Sequence, residues 1–386
     1  MTSPYDVLIV GGGPAGSAAA LSLLRAGHTI AILERSDYTR PRVGETLPPA
    51  VKTPLAHLGL WDAFQRQAPA SSPAVHSAWG CSRLREQDHF YNPYGPGWHI
   101  DRRAFDLLLA CHARDAGATL ITSAQIQSCE SDDPGGWTIR FRAAQTRSAL
   151  RARVMIDATG RSSAIARRLG ARRILHDNLV GVLGFFAPAP EQHQPPITLV
   201  EAVENGWWYS ASLPDSRLVV AWMTDPDLYA RGGPHSPRRW REELYRTVHT
   251  SRRVEGAPLD SPLLIAQANS SRLDRFHDHN WLAVGDAAIA FDPLAGQGVY
   301  QSLDSGIRAA AAVQAFLGGR PVGFASYSAR LTNAFDQFLV LKSQYYGQET
   351  RWPTSLFWRR RHHLLDKQQA WQPSSNSTGQ KTYFRS

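Results

Sequence analysis

The chain has 386 residues, of which 43% are hydrophobic and 10% aromatic, so it can form two or three domains and is not disordered. Its three cysteines lack Cys-x-x-Cys spacing, which argues against a disulfide framework and a cysteine-built zinc site. The net charge of +9 comes almost entirely from scattered arginines, so we expect no nucleic-acid partner. No histidine pattern with a supporting carboxylate predicts a metal site.

The first 35 residues predict a strand, a glycine turn, a helix and a second strand. "YDVLIV" (5–10) is typical of a buried parallel strand, and the Ala/Leu-rich run from Ala15 to Gly27 predicts a helix. The N-terminus lacks the features of a signal peptide, and no apolar run reaches about 18 residues. We therefore expect a cytoplasmic protein with no membrane span.

Later segments alternate between helical and strand patterns. Residues 100–118 predict an amphipathic helix, followed by strands in "TLITSAQIQSCES", "GWTIRFRA" and "ARVMIDATG". Residues 76–98 and 171–262 alternate apolar and polar positions, which predicts an inserted antiparallel sheet. After the strand "NWLAVGDAA" come two long helices, and a polar tail begins near Pro373.

The glycine turn predicts a dinucleotide site. Gly11, Gly13 and Gly16 form a GxGxxG motif between a strand and a helix, where a pyrophosphate can approach the backbone. Glu34 ends the second strand, about 20 residues on, where its carboxylate can accept hydrogen bonds from an adenosine ribose. The candidate residues of this part of the site are Gly11, Gly13, Pro14, Ala15, Gly16, Glu34 and Arg35.

Three later features favour FAD over NAD. "DATGRSS" (157–163) closes a strand with a glycine turn, and Asp286 stands at a strand end where it could hold a polyol hydroxyl. "IDRRAFD" offers Arg102 to a pyrophosphate. The alternatives are a helix cap for Asp286 and a solvated helix face for Arg102. The turn after Asp286 could stabilise negative charge on a ligand through backbone amides, and its candidate residues are Pro293, Gly296, Gln297 and Gly298.

In this order, the motifs resemble those of the flavoprotein monooxygenase superfamily, over about residues 1–325. That superfamily includes para-hydroxybenzoate hydroxylase, flavin-dependent halogenases and geranylgeranyl reductases. The resemblance implies an α/β fold with a Rossmann-like FAD-binding domain of the glutathione reductase and para-hydroxybenzoate hydroxylase type, an inserted antiparallel β-sheet substrate domain and C-terminal helices. The expected limits are 1–75, 99–170 and 263–325 for the FAD domain, 76–98 and 171–262 for the sheet domain, 326–372 for the helical segment and 373–386 for a disordered tail.

The resemblance also implies a role for each motif. Gly11, Gly13, Gly16 and Glu34 would bind the ADP half of FAD with Arg102, Asp286 would bind the ribitol, and Pro293 to Gly298 would lie against the flavin ring. "RVGETLPP" (42–49) resembles the halogenase and reductase branch, in which its Gly44 and Glu45 would line the flavin.

Two departures disfavour a halogenase. Halogenases need a lysine between the Gly-Glu segment and the next strand that ends in Trp, whereas Lys52 is the only lysine between residues 44 and 79. Halogenases also carry a Trp-x-Trp-x-Ile-Pro stretch. Aligning its Ile-Pro with residues 213–214 places Tyr209 and Ala211 where the tryptophans should stand.

Two longer stretches resemble a tryptophan-halogenase-like subgroup. They are "GWWYSASLPDSRLVVAWMTDPDL" and "YYGQETRWPTSLFWRRRHH" (345–363). This subgroup includes flavoproteins that mature tryptophylquinone enzymes by hydroxylating a tryptophan within a precursor protein. For the Trp/Arg-rich tail, the alternative is a docking helix that covers the core.

The favoured function is an FAD-dependent monooxygenase that hydroxylates an aromatic substrate through a flavin hydroperoxide. An indole or tryptophan is favoured, either as a small molecule or within a protein or peptide. NAD(P)H, or reduced flavin from a separate flavin reductase, would supply electrons, because no second GxGxxG is present. The alternatives are a reductase of isoprenoid double bonds, a halogenase, and a flavin-binding escort protein without turnover, the last suggested by a tail expected to be exposed.

Candidate substrate-pocket residues come from the predicted sheet domain. Aromatic or titratable side chains there could hold the substrate ring or transfer a proton. The catalytic candidates are Trp79, His99 and Tyr209, and the substrate-binding candidates are Tyr91, Trp222 and Met223.

Overall fold

The computed structural model describes residues 4–132, 135–188, 196–230, 237–320 and 322–369. These residues form two compact units. The first comprises 4–69, 100–177 and 269–335, and the second comprises 70–99, 178–268 and 336–369, within the described residues. The predicted tail 373–386 lies outside the described residues, and the predicted domain limits stay a proposal.

The first unit is built on a sheet whose central strands run parallel. In spatial order these strands are Trp281–Ala283, Thr146–Asp157, Tyr5–Val10, Ile30–Leu33 and Thr119–Ile121. Val7 pairs with Val154 on one side and with Ile30 on the other, and it is fully buried. Parallel strands are covered on both faces, which explains the continuous apolar run of "VLIV".

Antiparallel strands complete the first unit. The outer strands of the main sheet are His277–Asp278, Gln125–Asp132 and Gly136–Ala143. A smaller sheet contains Arg173–Leu175, Ser271–Leu273 and Ile289–Ala290, and Thr46–Leu47 is a further short strand.

The helices of the first unit include two that pack closely. A Cβ on Gly306 would lie 2.3 Å from the Ala15 carbonyl oxygen, so Pro14–Arg25 and Gly298–Leu317 approach each other at backbone distance. The other helices are Lys52–His57, Trp61–Arg66, Arg102–Asp115, Ala164–Arg168 and Val322–Gly347 as far as residue 335. Short 3-10 turns are Pro49–Val51, Gly160–Ser162, Gly285–Ala287 and Pro293–Ala295.

The second unit is built on a sheet with the spatial order Leu264–Gln267, Val180–Phe186, Leu218–Thr224, Gly206–Ser212, Thr198–Val203, Ala74–Ala78 and Arg85–Asp88. Within the described residues its pairs are antiparallel except for Ala74–Ala78 with Thr198–Val203, which is parallel. The expectation of a wholly antiparallel sheet is therefore wrong for this pair. Parallel pairing needs a long crossover, and the stretch of chain between residues 78 and 198 supplies it.

Three tryptophans form the core on one face of this second sheet. Trp208 and Trp222 stack at 5.9 Å with an interplanar angle of 7°, and Trp240 meets Trp208 edge-on at 5.2 Å. The indole N–H of Trp240 donates to the Val182 carbonyl oxygen at 2.9 Å, so its polar atom is satisfied inside the core. The remaining elements of this unit are Ala70–Ser72, Gly97–His99, Pro226–Tyr229, Pro237–Tyr245, Thr250–Arg253, the rest of Val322–Gly347, and Leu356–Gln369.

The α/β fold class is confirmed, and most predicted elements occur where the periodicity placed them. The predicted helix over 100–118 is Arg102–Asp115, which begins where the Asp101 carboxylate accepts the N–H groups of Arg103 and Ala104. The two predicted late helices are Gly298–Leu317 and Val322–Gly347. Among the described helices, none combines the length and the apolar character needed to cross a membrane.

Trp208→Ala should lower the free energy of unfolding by about 3–5 kcal/mol, because the substitution leaves a large cavity against Trp222 and Trp240. Urea unfolding measures the change. Tyr91→Ala is the matched control, since this ring is 91% exposed and its loss should change stability by less than about 0.5 kcal/mol. Equal effects of the two substitutions would contradict the described core.

Candidate functional site

The glycine turn leaves an open place at the start of the helix Pro14–Arg25. Gly11 has φ +111, and a Cβ on it would lie 2.2 Å from the Ala158 carbonyl oxygen. A Cβ on Gly16 would lie 2.0 Å from the Gly11 carbonyl oxygen, whereas no described atom lies within 4 Å of the Cβ position of Gly13. No described side chain caps this helix. Open space beside uncapped N–H groups fits a pyrophosphate.

Glu34 fixes the glycine turn and keeps acceptor capacity. Its Oε2 accepts the Gly12 N–H at 2.7 Å, and its Oε1 accepts the Ser36 N–H and hydroxyl and the Arg42 guanidinium. The Tyr38 hydroxyl donates to the Gly12 carbonyl oxygen at 2.8 Å, so both polar groups of Gly12 are held. Since each carboxylate oxygen has two lone pairs, Oε2 retains one for a ribose hydroxyl.

A buried ionic network joins Glu34 to Arg102. Asp106 is fully buried, accepting from Arg42 Nη1 at 2.7 Å and from Arg102 Nε at 3.2 Å. Arg42 also bonds Glu34 at 3.0 Å, and Arg102 Nη1 donates to the Val43 carbonyl oxygen at 2.7 Å. Burial opposes the charge of Arg42, but Asp106 and Glu34 outweigh it and raise the pKa of its guanidinium. Arg102 therefore stabilises the position of the Val43 backbone and of Asp106, and the alternative that it lies on a solvated helix face is wrong.

Arg42 and Asp106 were not among the candidates from the sequence. One signal was available for Asp106: it follows Arg102 by four residues on one helix, a spacing that brings the two side chains together. Arg42 begins the stretch "RVGETLPP", but its partner Asp106 is 64 positions away, so local spacing did not predict this ion pair.

The Gly44-Glu45 segment presents a buried carboxyl. Glu45 is 3% exposed, and its Oε2 accepts the Gly44 N–H at 3.0 Å. Its Oε1 has no hydrogen-bond partner among the described residues. This oxygen is enclosed by protein atoms, and the contact of Glu45 with the flavin stays a prediction.

Asp286 lies in the turn Gly285–Ala287, with its side chain one-third exposed. Its Oδ2 lies 3.3 Å from Arg161 Nε, and the other nitrogens of Arg161 donate to the Asn269 and Phe291 carbonyl oxygens. Asp286 lies inside this turn, whose N-cap position is Val284, so the helix-cap alternative is wrong. Arg161, absent from the sequence-based candidates, orients this carboxylate.

The turn at 293–298 exposes backbone. Asp292 accepts the Leu294 N–H at 2.9 Å and fixes the turn Pro293–Ala295. No described atom lies within 4 Å of the Cβ positions of Gly296 and Gly298, and no described side chain caps the following helix at Gln297. The Gly296 N–H donates to the Pro293 carbonyl oxygen at 2.9 Å, so the prediction that it faces a ligand is wrong. The N–H groups of Gln297 and Gly298 make no hydrogen bond with the described residues, and their contact with a ligand stays a prediction.

Candidates of the second unit divide between the two faces of its sheet. Trp207 pairs with Met223 and Tyr209 with Ala221, which places Tyr209 and Met223 on one face. Trp222 points to the opposite face, fully buried against Trp208. Because this packing leaves no surface for a substrate, we no longer propose Trp222 as a substrate contact.

The other candidates have separate environments. His99 is fully buried, with Nε2 2.9 Å from the Thr198 hydroxyl, and burial together with the positive charge of Arg253 lowers its pKa to about 4. Trp79 donates its indole N–H to the Tyr345 carbonyl oxygen at 2.8 Å. Tyr91 is 91% exposed. The roles of Trp79, His99, Tyr209, Tyr91 and Met223 stay predictions.

The family model described as "FAD binding domain" matches residues 4–339. The chain belongs to this family. It is 31% identical over 366 residues to LodB of Marinomonas mediterranea, a protein whose name describes it as an FAD-dependent oxidoreductase, covering 93% of this chain and 97% of LodB. The recognised superfamily, the cofactor FAD and the assignment as an FAD-dependent oxidoreductase are confirmed.

Two solved structures share the fold. The flavin-dependent halogenase CmlS matches with a TM-score of 0.83 and 25% identity, over 97% of this chain and 71% of CmlS. The peptidyl tryptophan dihydroxylase QhpG matches with a TM-score of 0.76 and 23% identity, over 93% of this chain and 79% of QhpG. The fold is therefore shared by halogenases and by a hydroxylase.

Asp106→Asn should raise the dissociation constant for FAD about tenfold or more, because Arg42 and Arg102 lose the charge that positions them. Isothermal titration with FAD measures the affinity, and circular dichroism confirms that the variant is folded. Asp115→Asn is the matched control on the same helix, since this carboxylate is 64% exposed. A folded Asp106→Asn variant that binds FAD normally would contradict a role for the network.

Two glycine substitutions should separate cofactor binding from folding. Gly13→Ala places a methyl group in open space, so it should leave FAD-free stability within about 0.5 kcal/mol but weaken FAD binding about tenfold. Gly16→Ala should lower stability by about 1–3 kcal/mol, because the backbone must shift. Thermal unfolding with and without FAD measures both effects. If Gly13→Ala bound FAD as tightly as the wild type, the pyrophosphate of FAD would not lie in this turn.

Proposed function

We propose that this enzyme is an FAD-dependent monooxygenase that hydroxylates an aromatic ring, with the indole of tryptophan, free or within a peptide or protein, as the favoured substrate. When bound, FAD supplies the oxidising power, so the chain needs to bind, orient and shield the reactants. The observation that carries the choice of hydroxylation over halogenation is the distribution of lysines.

The sequence has no lysine between Lys52 and Lys342. The Nζ atom of Lys52 lies 5.4 Å from the centre of the Trp61 ring, on a side chain exposed at the start of its helix. Lys342 is 8% exposed, with Nζ 5.7 Å from the centre of the Tyr346 ring. The halogenases that the sequence resembles need a lysine ammonium in the interval after the Gly-Glu segment, and arginine does not replace such a compact donor.

The strand Gly206–Ser212 supports the same conclusion. Trp208 is committed to the core, and the Trp207 indole N–H donates to the Tyr346 hydroxyl at 3.0 Å. Tyr209 stands on the same sheet face as Trp207, at a position where the halogenase pattern has a tryptophan. Both tryptophans of this strand therefore have packing roles.

His99 is the acid/base candidate of this proposal. Burial and Arg253 lower its pKa to about 4, so the imidazole is neutral at pH 7 and is a weaker base than an ordinary histidine. The electron donor, NAD(P)H or reduced flavin from a flavin reductase, belongs to this proposal, as do a cytoplasmic location and an aromatic small-molecule, peptide or protein substrate.

The alternative of a flavin-binding escort protein was suggested by an exposed tail. Trp358 in this tail is fully buried and donates its indole N–H to the Val203 carbonyl oxygen at 3.0 Å. Arg361 is 3% exposed and bonds Asp225 at 2.8 Å. The expectation of an exposed tail is wrong for these residues, which are part of the packed second unit.

Hydroxylation and halogenation can be distinguished in one experiment. The FAD-loaded protein is reduced without oxygen and then mixed with oxygenated buffer that contains bromide and a tryptophan-containing peptide. We expect mass spectrometry to show the peptide with the mass of added oxygen and without bromine. The same peptide with phenylalanine in place of tryptophan is the control. A brominated peptide would overturn the proposal, and so would an unmodified peptide across free, peptide and protein forms of tryptophan.

A further inference from the structure

Four tryptophans of the second unit form a continuous row of rings, the tryptophan chain, in the order Trp207, Trp79, Trp358 and Trp352. The ring centre of Trp79 lies 6.3 Å from that of Trp207 and 5.4 Å from that of Trp358. Trp358 in turn stacks on Trp352 at 6.2 Å, with an interplanar angle of 17°. The first three rings are at most 7% exposed, whereas Trp352 is partly exposed. The chain therefore leads from a buried strand to solvent.

The three core tryptophans on the opposite face of the sheet have no such exit. Trp208, Trp222 and Trp240 are 0% exposed. The rings that contact them within the described part of the chain are buried as well: Tyr229 meets Trp222 at 6.1 Å, and Phe186 stacks on Trp240 at 6.1 Å. Packing explains these rings fully, but it does not require a row that reaches the surface.

The indole N–H groups also distinguish the two sets. Each buried indole of the tryptophan chain has an acceptor: the Tyr346 hydroxyl for Trp207 at 3.0 Å, the Tyr345 carbonyl oxygen for Trp79 at 2.8 Å and the Val203 carbonyl oxygen for Trp358 at 3.0 Å. On the opposite face, the N–H groups of Trp208 and Trp222 have no acceptor among the described residues. An indole that has lost an electron is a cation and a stronger donor, so an acceptor at its N–H stabilises the oxidised ring.

The charge next to the solvent end of the chain is compensated. The Arg351 guanidinium carbon lies 4.3 Å from the centre of the Trp352 ring, and Arg351 Nη2 pairs with Glu349 Oε2 at 2.6 Å. Burial opposes the charge of Glu349, but its hydrogen bonds with Arg351 and the Gly80 N–H outweigh burial and lower the pKa of this carboxyl. A lone cation would make removal of an electron from the ring harder, and the carboxylate offsets that effect.

We propose that the tryptophan chain carries single electrons from solvent at Trp352 to Trp207, where they reduce oxygen-centred radicals before the radicals damage the protein. Indoles are among the side chains that lose one electron most readily, and rings in contact exchange electrons fast because transfer rates fall steeply with distance. Tyr209 and Met223, two of the predicted site residues, stand on the same sheet face as Trp207. The inference rests on the proposed function, since an enzyme that activates oxygen forms such radicals as side products.

Electrons and protons balance in this reaction. A peroxyl radical gains one electron from Trp207 and one proton from solvent and becomes a hydroperoxide. Each oxidised indole then gains an electron from the next ring, so no covalent bond of the chain forms or breaks. Trp352 regains its electron from a thiol in solution, and this thiol becomes a thiyl radical and releases the proton.

A photo-oxidant attached at Cys81 tests the electron path without turnover. Cys81 is partly exposed and follows Trp79 by two residues, and Cys111→Ser with Cys129→Ser leaves it as the only cysteine. A flash converts a bound ruthenium polypyridyl complex to its ruthenium(III) form, which removes one electron. With no thiol present, we expect transient absorption to show a tryptophan radical and peptide mass spectrometry to find added oxygen at Trp352, which solvent reaches.

Two buried substitutions separate electron transfer from packing. Trp358→Phe interrupts the chain, because phenylalanine fills much of the space but is far harder to oxidise, and it should lower oxidation at Trp352 severalfold. Trp240→Phe is the matched control: both indoles are 0% exposed and donate to a backbone carbonyl oxygen, and oxidation at Trp352 should stay at the wild-type level. Melting temperatures confirm that both variants are folded. Unchanged oxidation in Trp358→Phe, or an equal loss in both variants, would overturn the electron path.

Repeated reduction and reoxidation of the FAD-loaded protein, with thiol present, tests protection. We expect mass spectrometry to show oxygen added to Tyr209 or Met223 severalfold faster in Trp358→Phe than in Trp240→Phe. Equal damage in the two variants would overturn the protective role. The flash experiment uses neither FAD nor substrate, so a failure of hydroxylation and a failure of this inference are distinguishable.

Discussion

The first unit depends on one buried charge, the carboxylate of Asp106. It lies between the guanidinium groups of Arg42 and Arg102 and has no contact with solvent. An uncompensated charge in that position would be strongly destabilising, so each of the three groups holds the others in place. Through Arg42 the network reaches Glu34 and the glycine turn, and through Arg102 it reaches the backbone of the Gly44-Glu45 segment. The glycine turn and the Gly44-Glu45 segment, which are both expected to contact FAD, are thereby held in place by one network.

Three buried carboxyl groups in this unit differ in their hydrogen-bond partners. Asp106 is matched by guanidinium groups, and Asp157 by four N–H and O–H donors. Glu45 is buried to a similar degree, and its carboxyl accepts the N–H of Gly44 and its own N–H. Burial raises the pKa of both Asp157 and Glu45, and the hydrogen bonds that each accepts oppose this effect without reversing it.

In the second unit, successive side chains of a strand point to opposite faces of the sheet, and this alternation decides which aromatic residues lie in the core. Trp208 and Trp222 are neighbours across two strands and stack inside the core, while Tyr209 and Met223 stand on the other face. Trp222 and Met223 were both predicted to contact substrate, but neighbouring residues of a strand point to opposite faces of the sheet. The tail is a second case in which packing decided the environment. Its Trp/Arg-rich composition suggested an exposed segment, but Trp358 and Arg361 are buried.

The sequence by itself determined the strand–turn–helix unit, the positions of the long helices, the FAD family and the lack of lysines between Lys52 and Lys342. These features are encoded locally, in the φ freedom of Gly11, in apolar periodicity and in residue identity. The tertiary structure decided the pairing of Arg42 with Asp106, of Arg161 with Asp286, and the burial of the Glu45 carboxyl. Such features arise between residues far apart in the chain, because burial and charge pairing exist only after the elements pack.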